Sequence, residues 1–209
     1  MINFIKETVT PGEWADLKTA VEAGEIKSRD LIHFNLKTGE EVAARATHDM
    51  NGNLFFVLED CLEDEHAMNK RSTNKGGWAE SDMRKHLNKT VFNLLPDELQ
   101  ALIKPTKVVQ VLDGERVECE DKLFLLSRTQ VFGKGNYSEY EPEDTQLDIF
   151  HTEKSRVKEC ADHGTWWWWL RSPLASSSSH FCSVSNYGHR YRHRRQHQFW
   201  RGVRLLDLI

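Results

Sequence analysis

Apolar residues recur at helical spacing early in the chain. Trp14, Leu17, Ala20 and Val21 fall on one face, with Thr10 and Pro11 placed to open the helix and Gly24 to end it. After Arg29 the period shortens to that of strands, with runs at 31–34, 41–44 and 54–58. Hairpin-type turns at 37–40 and 51–53 separate them, which predicts an antiparallel meander. Helical signals return at 81–87, where Ser81 is a cap, and at 96–103, where Pro96 opens and Pro105 closes. A strand at 108–112 then leads into an Asp113-Gly114 turn, and residues 122–127 read as a buried strand. From 132 to 164 the chain is polar and reads as loop. Helices in the middle with strands at both ends predict an α+β domain. At 209 residues the chain can bury its own core as one unit, spanning 1–209.

The remaining composition narrows the class. Cys61, Cys119, Cys160 and Cys182 lie far apart with no CxxC, so the pattern predicts reduced thiols, not a disulfide framework or a zinc knuckle. The first ten residues lack the apolar core of a signal peptide, and no run is long enough to cross a bilayer. The default expectation is a cytoplasmic protein.

Charge changes the picture more than composition does. The net charge is −4, yet residues 164–209 carry seven arginines against one acid, which leaves −10 for the rest of the chain. Lysine is absent from that basic end. A general electrostatic arm uses both basic residue types, so the end has a more particular task.

Three chemistries compete for it. His189, His193 and His197 are spaced to line one face if the segment were helical, as a zinc site would need, but Gly188 and the mixed arginines and aromatics argue against a helix and hence against a metal. Cys182 has His180 and residues 176–179 nearby, but a local coincidence does not assemble a nucleophile. No GxSxG, HExxH, P-loop or GxGxxG pattern occurs, and no enzyme or cofactor is expected. The third is binding. Residues 187–201 interleave guanidinium groups with aromatic rings, a surface suited to a protein partner or, alternatively, to phosphates and bases of nucleic acid.

Several motifs in series carry a resemblance. Residues 81–88, 99–105 and 121–127, then Trp168-Trp169-Leu170-Arg171-Ser172-Pro173 and Gly202-Val203-Arg204, resemble in order the DUF6273 family, over about residues 78–209. The resemblance implies a C-type lectin-like fold of antiparallel strands with two or three helices. It divides the chain into an N-terminal helix and meander (1–77), a scaffold (78–163) and a ligand-binding region (164–209). Leu205 stands where the family usually has proline, and the segment between the last two motifs is rich in His and Arg where the family has Asn, Ser, Gly and Tyr.

That second departure has a reading of its own. Some proteins of this fold are variable proteins of diversity-generating retroelements, whose C-terminal segment is rewritten at adenines. Asparagine codons altered in this way give Ser, Tyr, His, Arg, Phe, Cys or Gly, and never Lys, Trp, Gln, Glu or Met. Ser176, Ser178, His180, Ser183, Ser185, Tyr187, His189, Arg190, Tyr191, His193, Arg194, Arg195, His197 and Phe199 are all reachable; Gln196, Gln198 and Trp200 are not. The resemblance therefore makes those fourteen the ligand-binding positions. Trp168, Trp169, Leu170, Phe181, Val184 and Val203 become the apolar frame, with Arg171 and Arg204 fixing it by hydrogen bonds. One of Trp166 and Trp167 is expected at the surface. The ligand expected is a macromolecule, protein ahead of nucleic acid, and a phage particle or a display partner becomes an alternative location. Lectin-type sugar and calcium binding is not expected, since Glu141-Pro142-Glu143 is only a partial echo of the carbohydrate triplets.

Overall fold

The structure, a computed structural model, describes Val9 and residues 12–135, 140–160, 163–192 and 205–206, the last two and 191–192 as backbone only. The first helix, α1 (Trp14–Glu22), buries Trp14, Leu17 and Ala20, the stripe set by their spacing. Strands β1 (Leu31–Asn35), β2 (Glu41–His48) and β3 (Leu54–Leu58) form the expected meander, β1 on β2 and β2 on β3, both antiparallel. Short helices follow: α2 (Gly77–Glu80), α3 (Asp82–His86), which runs on into a π turn over Leu87–Val91, and α4 (Asp97–Leu102). Ser81 caps α3 as expected, its side chain accepting from the Arg84 amide.

The next segment holds the expected strand and turn and two elements that the sequence pattern did not predict, a strand at 115–121 and a helix at 128–132. Strand β4 (Thr106–Leu112) turns back through Asp113 and Gly114, both at positive φ, into β5 (Glu115–Asp121). β5 is largely charged and sits in a two-stranded ribbon, where only Val117 and Cys119 are apolar and alternate as half-buried positions with the exposed Arg116, Glu118 and Glu120. The run at 122–127 yields only a two-residue strand, β6 (Leu123–Phe124); beyond it the chain stays buried but leaves the sheet. Helix α5 (Arg128–Phe132) then begins on a capping box, with Ser127 bonding the Gln130 amide and Gln130 bonding back.

The polar stretch after α5 is mostly loop, with a 3-10 turn at Lys154–Arg156 and then β7 (Lys158–Cys160), which pairs with β8 (Gly164–Trp166). Finally β9 (Trp168–Pro173), β10 (Phe181–Val184) and β11 (Arg190–Arg192) make a three-stranded antiparallel sheet. Strand β12 (Leu205–Leu206) returns to the central sheet between β3 and β6, giving the order β1-β2-β3-β12-β6. Leu205 thus has a strand on each side, a place where proline would remove a ladder donor or be confined to an irregularity. The fold is α+β, with small antiparallel sheets and few helices. One buried cluster runs from Val9 through Leu58, Trp78, Leu99 and Leu126 to Val184.

The cysteines correct an expectation. Cys61 and Cys160 are joined as a disulfide across 99 residues, with Cα atoms 5.0 Å apart, while Cys119 and Cys182 are free. The crossing that unites them is a tertiary one: the Cys61 amide donates to the Glu159 carbonyl (2.9 Å), and the Glu159 amide to Asp60 Oδ1 (2.9 Å). No local spacing reports such a contact. Among the described residues no helix is long and apolar enough to cross a membrane.

Candidate functional site

The segment from Trp166 onward is built from a fixed strand outward. β9 is buried at every position from Trp168 to Ser172; the Trp168 ring lies 6.1 Å from that of Phe150, while Arg171 reaches the residues around α5. Trp168 Nε1 donates to the Arg156 carbonyl (2.9 Å), so even the indole polar atom is used in anchoring. Trp168 and Trp169 are core, as expected; Trp166 and Trp167 are both half-buried, and Trp166 stacks on His163 at 4.6 Å.

Arg171 is the polar pivot of the strand. Its Nη1 donates to the Leu125 carbonyl (2.8 Å) and Gln130 Oε1 (2.6 Å), its Nη2 to Asp144, and its backbone amide to the Leu126 carbonyl (2.9 Å). The residues after β6 thus find in β9 the partners they lose in the sheet. Beside it lies Glu141, whose Oε1 accepts from Gln110 Nε2 (3.4 Å); burial pushes its carboxyl up to about 7, although the Arg171 charge pulls the other way. A carboxyl 1% exposed and turned into this network is not part of an open cation or sugar site. Arg204 lies outside the described residues.

The loop after β9 is held by one side chain. Asn74 Nδ2 donates to the carbonyls of Ser177 (2.7 Å) and His180 (2.9 Å) and lies 3.4 Å from that of Leu174, while the Asn74 amide donates to the Ser178 carbonyl (3.0 Å). Ser176 and Ser178 are exposed there, on the edge of a groove of about 790 Å³ between residues 72–76 and 173–178. His180 is half-buried, its Nδ1 facing the hydroxyls of Ser177 and Ser179.

β10 and its turn to β11 complete the surface, and here the predicted set divides. Ser183 and Ser185 are buried, 1% and 4% exposed, which corrects the expectation that they project to a ligand. Every residue of β10 is covered, so strand alternation does not sort them, and the Ser185 hydroxyl is spent on the turn, accepting from the amides of Tyr187 (3.3 Å) and His189 (3.1 Å). Tyr187 stands 70% exposed at the tip. His189 and Arg190 are exposed beside it; His189 Nδ1 lies 3.1 Å from Glu153, and the Arg190 guanidinium lies over the Phe132 ring at 5.7 Å. Tyr191 pairs with Ser183 in the ladder. His193, Arg194, Arg195, His197 and Phe199 lie outside the described residues, as do Gly202, Val203 and Arg204.

The backbone at 190–192 is strand, so His189 does not enter a helix that could align it with His193. Among the described residues no group of three His, Cys, Asp or Glu side chains could hold a metal.

With this arrangement in view, comparison with known families is decisive on one point: the family model described as a domain of unknown function, DUF6273, matches residues 51–204. The chain belongs to the DUF6273 family. The DUF6273 match starts just before β3, earlier than the motifs at 81–88 suggested, and it takes in Asn74, the disulfide and the whole of β9 to β11. Outside it lie α1, β1, β2 and β12; β1 and β2 extend the central sheet beyond β3, and β12 sits within it. No curated protein and no solved structure matches the chain.

Three features of this DUF6273 site escaped sequence reading. Asn74 sits about 100 residues from its acceptors, and nothing local marks it. The 153–156 turn supports the tip, with Arg156 Nη1 donating to the Gly188 carbonyl (3.2 Å). Gly188 argues against a helix in the sequence, but nothing local marks its close approach to Glu153.

Proposed function

We propose that this DUF6273 protein displays a diversified ligand-contacting surface between Trp166 and Arg204 on a C-type lectin-like scaffold, as the variable protein of a diversity-generating retroelement. Its ligand is a protein, and it has no catalytic role and no cofactor. The observation that carries the reading is a sorting of neighbours. Ser176, Ser178, Tyr187, His189 and Arg190 are exposed, while Trp168, Trp169, Phe181 and Val184 between and beside them are core. A backbone pinned by Arg171 and Asn74 leaves those exposed positions free to change without disturbing the fold. Large aromatic and cationic side chains with polar tips suit such a face, because they give contact area at modest entropic cost. The mixture of short antiparallel sheets and few helices is compatible with the lectin-like reading.

Codons and binding test it together. The gene should lie near a reverse transcriptase and a near-copy of the 165–204 segment, with asparagine codons in the copy at the exposed positions. Absence of such a copy removes the diversification. For the ligand, two natural variants differing only at these positions should select different protein targets from a displayed library. Identical selections, or tight binding to single-stranded nucleic acid that collapses steeply with salt, would overturn the protein reading.

A further inference from the structure

A second candidate site adjoins the 153–156 turn that supports the tip, in a cleft of about 310 Å³ between the strand β2–β3 pair, the 149–158 segment and the turn before β1. Its wall includes Val57, Ile149 and Phe150, and four cations line it: Arg29, Arg45, Lys154 and Lys158. Glu59 is the one acidic residue among the lining residues. This is an unusual balance in a body where residues 1–163 carry net −10.

The single carboxylate is already spoken for. Arg45 holds Glu59 by two parallel contacts, Nε to Oε2 and Nη2 to Oε1, each 2.5 Å. Lys158, buried, donates to the carbonyls of Leu58 and, at 2.9 Å, Glu59; burial lowers its ammonium to about 8, which leaves it charged at neutral pH. The Arg29 guanidinium and the Lys154 ammonium are both exposed and make no hydrogen bond or ion pair with any described residue. Arg29 is also held in an unusual way. Its φ is 79°, a left-handed conformation that costs an arginine energy, and its backbone is pinned at both ends, the amide to the Ala46 carbonyl (2.7 Å) and the carbonyl to Arg45 Nη1 (3.0 Å).

We propose that this cleft binds a compact oxyanion, a small phosphate ester or a small dicarboxylate, through the Arg29 fork and the Lys154 ammonium, with Lys158 behind them as fixed positive charge. Two acidic oxygens match the paired donors of a guanidinium, a flexible ammonium adds point charge, and the Val57, Ile149 and Phe150 wall accepts a short carbon skeleton.

Isothermal titration of the full chain at fixed ionic strength tests this, using inorganic phosphate, glycerol 3-phosphate and succinate as probes and chloride as the control. Saturable binding of at least one probe is expected, and the probe preferred separates phosphate from carboxylate as the source. Arg29→Ala combined with Lys154→Ala should weaken it tenfold or more. Arg29→Gly should weaken binding while keeping or raising thermal stability, because glycine adopts the same φ without strain. No saturable binding by any probe, or less than a tenfold loss in the double variant, overturns the site.

Discussion

A side-chain carbon built on Gly188 would stand 2.0 Å from the carbonyl oxygen of Glu153. Backbone against backbone at that range cannot be relieved by a rotamer, and Gly188 also lies at φ 76°. The turn carrying Tyr187 and His189 is thus seated on the 153–156 turn at a point where only glycine fits, although glycine is itself reachable from an asparagine codon. On the proposed reading, Gly188 therefore belongs to the frame and not to the changeable contents. Gly188→Ala is expected to destabilise the protein by about 2 kcal/mol or more, measured by denaturant unfolding. A loss below about 0.5 kcal/mol would mean that the turn is not seated as described.

Asn74 fixes the other exposed loop. Two protons on one amide serve the Ser177 and His180 carbonyls, so Asn74→Ala leaves these acceptors to water or to nothing. We expect a cost of about 1–3 kcal/mol and faster amide exchange confined to residues 174–180. Asn74→Asp should be at least as damaging, since a carboxylate faces carbonyl oxygens with no proton to give. Exchange that stays at its wild-type rate in that loop would show that something other than Asn74 holds it.

These two residues also show where sequence reading stops. The α1 stripe, the β1–β3 meander and the Ser81 cap were legible because their causes are local: periodicity, turn glycines and a hydroxyl one step before a helix. The α5 capping box at Ser127 and Gln130 was equally local, but it follows so closely on the apolar run at 123–126 that the run masked it. β5 was missed because its charged residues, the buried Asp121 apart, face solvent in a ribbon, and only Val117 and Cys119 alternate with them as half-buried positions. The Cys61–Cys160 pairing and the reach of Asn74 depend on partners about a hundred residues away, and the burial of Ser183 and Ser185 on tertiary packing that their own sequence does not report. In the site the frame residues were legible by their bulk; which small residues between them face outward was not.

The disulfide makes a direct chemical prediction. Thiol titration of the denatured, unreduced protein should count two free cysteines, Cys119 and Cys182, and four after reduction. Closing a loop of about a hundred residues restricts the unfolded chain strongly, so Cys61→Ser with Cys160→Ser should lower stability by about 3–5 kcal/mol under oxidising conditions. Four thiols without reductant would show that the pairing does not form. With the pair absent, the 58–61 and 158–160 crossing would still be held by Lys158 and the Cys61 amide, so the variant should fold.

Two buried groups set opposite dependences of stability on pH. Glu141 ionises near pH 7 in the folded protein against about 4.5 for an ordinary glutamate, because burial disfavours its carboxylate. The folded state therefore binds the proton more tightly, and the stability linked to Glu141 is complete below about 4.5 and is lost as pH rises to about 7. Lys158 works in the other direction: its ammonium ionises near 8 when folded against 10.5 ordinarily, so its contribution is complete only above about 10.5 and is lost as pH falls to about 8. The two windows do not overlap, which makes them separable in one set of unfolding curves. Glu141→Gln should flatten the acid-side slope and raise stability by up to about 3 kcal/mol at pH 7.5, since the amide keeps the shape and carries no charge to desolvate. Lys158→Met should flatten the slope between 8 and 10.5 while leaving the acid side as it was. If the Gln variant kept the wild-type slope between pH 4.5 and 7, the acid-side dependence would have to come from the other buried carboxyls, Asp121 and Asp144, whose burial raises them in the same sense.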